Sequence, residues 1–191
     1  MSGNVLAGNI DEFDGAYMMT RLVDYIVEHL SQQIKAGCDT VQVFDSWASD
    51  LGEEHIIPYC YEPTAQIVER LRDLHPDIGI IVFPRLIGEE INNFSKYVNA
   101  DCISLSDDMK TDWILKRMGS QCLQGGIPPQ VLLSERKEEI IRGTVPMIRQ
   151  MKDCAYVVNL AHGINKETPV ENVRFFIEIV KRNRENITRE T

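Results

Sequence analysis

Ile78-Gly79-Ile80-Ile81-Val82-Phe83 is a nearly unbroken apolar run, set between His75-Pro76-Asp77 and Pro84. A run this short and this apolar reads as a strand buried on both faces, the pattern of a parallel sheet. Upstream, Thr40-Val41-Gln42-Val43-Phe44 is a second short β-branched stretch, and Asp45 to Glu54 supplies loop chemistry at its end. Between the two strands a helix is predicted from near Pro63 to Leu74, with Ile67, Val68 and Leu71 on its inner face and His75-Pro76-Asp77 breaking it. Further upstream, Met18, Leu22, Ile26, Leu30 and Ile34 recur at helical spacing between Asp11 and Ala36, and Gly37 stops that helix.

The alternation continues downstream. Glu89 to Tyr97 reads as a short helix, Cys102-Ile103-Ser104-Leu105 as a strand, Thr111 to Met118 as a helix and Gln121-Cys122-Leu123-Gln124 as a strand, with Gly119 and Gly125 at the joints. A longer helix is predicted from Ser134, read as its cap, to about Met151; a strand follows over Ala155 to Leu160. The closing helix spans roughly Val170 to Arg184, with Thr168-Pro169 as its start signal. The fold class is therefore α/β, with about five parallel strands joined through helices. An open doubly wound sheet and part of a (β/α)8 barrel share that order. A complete barrel needs about 250 residues, so a chain of 191 supplies only part of one. No linker or composition shift divides residues 1–191, which read as a single domain.

A hydrophobic fraction of 43% and a charged fraction of 26% are those of an ordinary folded domain. The formal net charge of -9 argues against a phosphate-binding surface, and so against nucleic acid. For a polyanionic substrate it demands strong local cations. The five cysteines, Cys38, Cys60, Cys102, Cys122 and Cys154, are widely spaced and form no C-x-x-C pair, which fits reduced thiols in a cytosol. Cys102, Cys122 and Cys154 fall in or beside strands, where cysteine serves as a small buried hydrophobe. Met1 to Asp14 lacks the pattern of a secretion signal, and no stretch approaches the roughly 20 apolar residues of a membrane span. A cytoplasmic location is expected.

In either architecture the working groups gather in the loops after the strands. That rule selects Asp45, Ser46 and Trp47, then Arg85, then Ser106, Asp107 and Asp108, then Gly125 and Gly126, and finally His162 and Gly163. Ser46 can donate its hydroxyl to a carboxylate or cap the following turn. Arg85 can form a bidentate pair with a carboxylate ligand, or a salt bridge with Glu89 or Glu90. His162 can hydrogen-bond a carboxylate or move a proton near neutral pH, or simply fix its loop. Asp107 and Asp108 are adjacent and read as a solvated pair. No G-x-S-x-G, G-x-G-x-x-G, P-loop or zinc-ligand spacing occurs, so these residues point to a site without metal or cofactor and leave the reaction open.

Ala36-Gly37-Cys38-Asp39-Thr40-Val41-Gln42-Val43-Phe44-Asp45-Ser46-Trp47-Ala48 resembles the uroporphyrinogen decarboxylase segment written A-G-A-D-A-V-Q-I-F-D-S-W-A-G. Leu123-Gln124-Gly125 matches the start of that family's L-Q-G-N-L-D-P, and Asn159-Leu160-Ala161-His162-Gly163-Ile164 is similar to its N-L-G-H-G-I. Thr168-Pro169-Val170-Glu171-Asn172-Val173 resembles T-P-x-E-x-V, and Phe83-Pro84-Arg85 the corresponding strand end of bacterial members. The matches run in family order from about residue 20 to residue 184.

The resemblance implies the C-terminal part of a TIM-type barrel, roughly its last five strands. It implies decarboxylation of the four acetate side chains of uroporphyrinogen to give coproporphyrinogen, in haem biosynthesis and without a cofactor. It places Ser46 and His162 at substrate-contacting positions; Arg85 is added from its rim position. The family's N-terminal P-x-W-x-M-R-Q-A-G-R motif has no counterpart, Gly126-Ile127-Pro128-Pro129 stands where the family has N-L-D-P, and Ser49 stands where it has glycine. The expectation is an N-terminally incomplete domain that forms a homodimer or requires a complementary N-terminal half. Two other readings stay open: a non-catalytic fragment, and a corrinoid-type methyltransferase of the same superfamily, whose His-x-Cys ligands are missing where Gly163 and Ile164 follow His162.

Overall fold

The computed structural model describes residues 12–190, with side-chain surroundings for 15–183. Helix α1 spans Glu12–Lys35 and strand β1 Thr40–Asp45. A short helix α2, Glu53–Ile56, passes through a π turn, Ile57–Tyr61, into α3, Glu62–Leu74. Then come β2 Gly79–Pro84, α4 Ile91–Val98, β3 Cys102–Leu105, α5 Thr111–Met118 and β4 Cys122–Gly125. The chain continues through α6 Lys137–Gln150, β5 Tyr156–Val157 and α7 Val170–Glu190.

The five strands form one sheet in the order β1-β2-β3-β4-β5, and every pairing is parallel. A doubly wound sheet reverses its order at a switch point. Strictly sequential order is that of a barrel wall, so the two architectures left open by the sequence are resolved in favour of a (β/α)8 segment.

Alternation along each strand sorts side chains onto two faces. Val41 and Val43, Ile80 and Val82, Ile103 and Leu105, and Leu123 join Val23, Val27 and Leu30 of α1, Ile67, Val68 and Leu71 of α3, and Phe94, Ile114 and Met118 in one buried core. Burying each such side chain contributes about 1.5–3 kcal/mol, which is why the helices stay on that face. A smaller core of Ile127, Leu132, Ile140, Phe176 and Ile179 joins α6 to α7.

The other face of the sheet is concave, and Phe83, Cys102, Ser104 and Gln124 are buried on it. At its edge strands Phe44 and Val157 stay 64% and 44% exposed, and Phe44 meets Phe83 edge to face at 6.2 Å between centroids. Buried Gln124 donates from Nε2 to Gln42 Oε1 at 3.1 Å and to Ser104 Oγ at 3.3 Å, forming a polar layer across β1, β3 and β4 on this face.

Several boundaries depart from the sequence reading. Helix begins at Glu53, inside the predicted loop, and the predicted start at Pro63 is interior to a continuous helical path. The π turn explains this: Glu62 N–H reaches back to Ile57 O, widening the helix just where Pro63 has no N–H to donate. Helix α6 starts at Lys137; Ser134 is not its cap but accepts from Arg136 N–H at 3.1 Å and donates to Glu139 Oε2 at 2.5 Å. The strand expected over Ala155 to Leu160 shrinks to Tyr156–Val157, with Leu160 returning only for a bridge to Ile127. On α1 the apolar spacing was right for a helix, but Met18 and Leu22 are exposed while Val23 and Val27 turn inward. Helix α7 runs past the predicted Arg184 to Glu190.

Candidate active site

The C-terminal ends of the five strands form one rim. After β1 the carboxylate of Asp45 turns into the loop, and burial lifts its pKa from the ordinary 3.8 despite hydrogen bonds from the Cys60 thiol and from Trp47 and Ala48 N–H, which pull it back down. Those bonds fix the turn that carries Ser46, which is exposed beside a Trp47 that is 70% exposed. The Cys60 thiol is held protonated, first by burial and then by the Asp45 charge.

Arg85 continues β2, and its backbone N–H donates to Asp45 O at 3.0 Å, so Ser46 and Arg85 emerge side by side. Among the described residues the Arg85 guanidinium makes no ion pair; the salt bridge to Glu89 or Glu90 that its spacing allowed does not form. Leu86, next in line, takes a left-handed φ of 57° and donates its N–H to Ser106 Oγ at 2.8 Å. This contact pins the β2 loop to the end of β3. For a leucine the conformation is strained.

Gly125 and Gly126 follow β4 with φ of 82° and 85°. A Cβ on Gly125 would lie 3.1 Å from Leu105 O and 3.2 Å from Leu160 O, so the turn needs glycine for both its angle and its space. Tyr156 Oη donates to Gly125 O at 2.6 Å, closing the same corner from β5. Beyond it His162 is exposed, with Nδ1 3.3 Å from Gly163 O. Ser46 directly follows β1, whereas His162 lies five residues past Val157, the last residue of β5; β1 and β5 are the opposite edges of the sheet, four strand spacings apart. At about 4.8 Å each these amount to about 19 Å along the sheet, and the curvature that lets Gln42 and Gln124 meet shortens the direct path between the two strands. Asp107 and Asp108 are exposed, as expected of a solvated pair.

A cleft of about 580 Å³ opens beside this rim, lined by Leu51, Ile57, Leu86, Glu53, Glu90 and Asn93 among others. Tyr61 Oη donates to Glu90 Oε2 at 3.0 Å and Asn93 Nδ2 donates to the same oxygen at 3.2 Å. With two carboxylates and no cation in its lining, the cleft is a poor receiver of polycarboxylates; Ser46, Arg85 and His162 lie outside its lining. Asp45, Ser106 and the Gln42–Gln124 layer were not singled out from sequence as structural anchors. Asp45 and Ser106 carried a signal there only through their places after the first and third strands.

The family model described as uroporphyrinogen decarboxylase matches residues 12–183. A uroporphyrinogen decarboxylase of Orientia tsutsugamushi is 35% identical over 160 residues, covering 84% of this chain and 47% of that protein. The Paracoccus denitrificans protein of the same name is 32% identical over 167 residues, 87% of this chain and 48% of its own. For that of Cereibacter sphaeroides the figures are 31% over 166 residues, 86% and 48%. The chain spans about half the length of the curated relatives it matches. With the match running through every strand and every rim loop described above, the chain belongs to the uroporphyrinogen decarboxylase family.

Proposed function

We propose that this chain is the C-terminal half of a single uroporphyrinogen decarboxylase domain and acts, together with a complementary N-terminal half, on the acetate side chains of uroporphyrinogen. The observation that carries the reading is the rim itself: the family-like segments ending in Ser46, Arg85 and His162 follow parallel strands of one sheet, at the end where barrels do their chemistry.

The reaction needs an electron sink. Protonating a pyrrole next to its acetate arm makes the ring cationic; the C–C bond to the carboxylate then breaks, CO2 leaves, and its electron pair flows into the ring. A proton adds at the exocyclic carbon to give the methyl group, and the ring loses its extra proton. In this reading no metal or organic cofactor takes part, and the protein's task is to hold carboxylates and the transient cation. The Arg85 guanidinium clamps one carboxylate, the Ser46 hydroxyl donates to the same or a neighbouring arm, and His162 meets a carboxylate from the far edge. Asp45 holds the Ser46 turn. Work in the cytoplasm, and a complementary half or a second copy as partner, belong to the same proposal; no helix among the described residues is long and apolar enough to cross a membrane.

The test is complementation. The chain, alone and mixed with a separately produced N-terminal half of a full-length relative such as the Paracoccus protein, is supplied with uroporphyrinogen under anaerobic conditions, and the products are oxidised and separated by chromatography. Coproporphyrinogen formed in the mixture and not by either piece alone is the expected result. No turnover in a mixture that demonstrably forms a one-to-one complex overturns the reading and favours the non-catalytic fragment.

A further inference from the structure

Cys102 and Cys122 are the first residues of β3 and β4, and they are paired in register. Register partners on neighbouring parallel strands send their side chains to the same face, and their backbones lie about 4.8 Å apart. A disulfide spans Cα separations of about 4.4–6.8 Å. Neither residue belongs to the helix-side core, to which Cys60 and Cys154 do belong, so the pair sits on the concave face one layer below Gln42, Ser104 and Gln124. Cys38 is exposed in the turn after α1, apart from the others. All five thiols are free, and only these two are register partners.

The two members of the pair differ. Cys102 is 5% exposed, whereas Cys122 is half-buried and is the sulfur an incoming reagent meets first. We infer that Cys102 and Cys122 form a redox-active dithiol that closes to a disulfide between β3 and β4 by exchange with a small disulfide such as oxidised glutathione. This goes beyond a purely packing role for these cysteines and does not depend on the decarboxylase reading.

The exchange proceeds in two displacements. The Cys122 thiolate attacks one sulfur of oxidised glutathione, that S–S bond breaks, and the first glutathione thiolate leaves and takes up a proton. Cys102 then yields its proton to solvent and its sulfur attacks Cys122 Sγ, expelling the second glutathione. Two protein thiols are oxidised and one glutathione disulfide is reduced to two thiols. The Cys102 proton is retained first by burial, and then by the hydrogen bond and charge of Cys122 and the charge of Asp101. Capping Cys122 in the first step removes its own charge from that set, so the first displacement prepares the second. Because both residues open their strands, the backbone at this end has one free side on which to adjust.

The test uses the full chain carrying Cys38→Ser, which removes the exposed competitor. The native protein is treated with oxidised glutathione at about pH 8, where thiolate is available, then alkylated and digested with trypsin without reductant. Cleavage after Lys96, Lys110, Arg117 and Arg136 releases 97–110 and 118–136 as separate peptides, each with one cysteine. The expected product is these two peptides joined, two hydrogens lighter than their sum, with helical circular dichroism unchanged. Adding Cys102→Ser, or Cys102→Ala should serine fail to fold, is expected to abolish the link and leave a glutathione adduct on 118–136. Free thiols at both positions, stable adducts at both, or a link from either one to Cys60 or Cys154 would overturn the inference.

Discussion

Burial works against the charge of Asp45, and the consequence is a stability that depends on pH. Its pKa is raised by burial in the folded chain, so the folded state binds that proton more tightly than the unfolded state does. The contribution is fully present below the ordinary carboxylate pKa and is lost as pH rises through the raised folded value. Asp45→Asn removes this slope. Measured from acidic to neutral pH, the urea midpoint of the variant is expected to rise relative to that of the parent as pH increases; a difference that stays constant with pH would show that Asp45 titrates normally. Arg85 is tested in the complemented assay. Losing a charge-assisted hydrogen bond costs about 1.5–3 kcal/mol, so Arg85→Ala is expected to lower kcat/KM by roughly tenfold to a hundredfold, with Arg85→Lys recovering only part of it because an ammonium cannot make the two-pronged contact. An unchanged kcat/KM would remove Arg85 from the site.

The elements show where sequence sufficed and where it stopped. β2 was legible because Ile80 and Val82 had to be apolar for the helix side while Ile81 and Phe83 served the concave side, and such double demand leaves an unbroken run. α5 was legible over Thr111–Met118 because Gly119 ends it. The π turn at Ile57–Tyr61 was not, since its cause is a proline that reads equally well as a helix start. β5 was overread: Val158 and Leu160 are apolar for packing against the α6–α7 core rather than for pairing in the sheet. At the rim, Ser46 and Arg85 directly follow the strands read from sequence, whereas the role of Ser106 depends on a contact with Leu86 from the neighbouring loop, 20 residues away in sequence. The corner at Gly125 has its own prediction. Gly125→Ala combines a left-handed φ with a Cβ pressed against two carbonyls, and a loss of about 1–3 kcal/mol is expected; a midpoint shift no larger than at an ordinary surface site would mean the turn relaxes freely.

At the scale of the molecule β1 and β5 are unpaired edges of the sheet among the described residues, with Phe44 and Val157 exposed along them. Tyr17, Met18, Leu22 and Tyr25 add an exposed apolar stripe on α1. Exposed edges and apolar surface of this kind drive association, opposed here only by a net charge of -9. The isolated chain is expected to self-associate with rising concentration and rising salt, measured by sedimentation velocity, and to give way to a one-to-one complex when the N-terminal half is added. A single cooperatively melting monomer across that range would contradict this.

Sequential strand order also bears on how such a wall is made. Each strand bonds to the one synthesised just before it, Thr40 to Gly79, Ile81 to Cys102, Cys102 to Cys122 and Leu123 to Tyr156. A nascent chain leaving the ribosome therefore always finds its docking site already emerged, and growth at the trailing end never has to wait for a distant segment still untranslated.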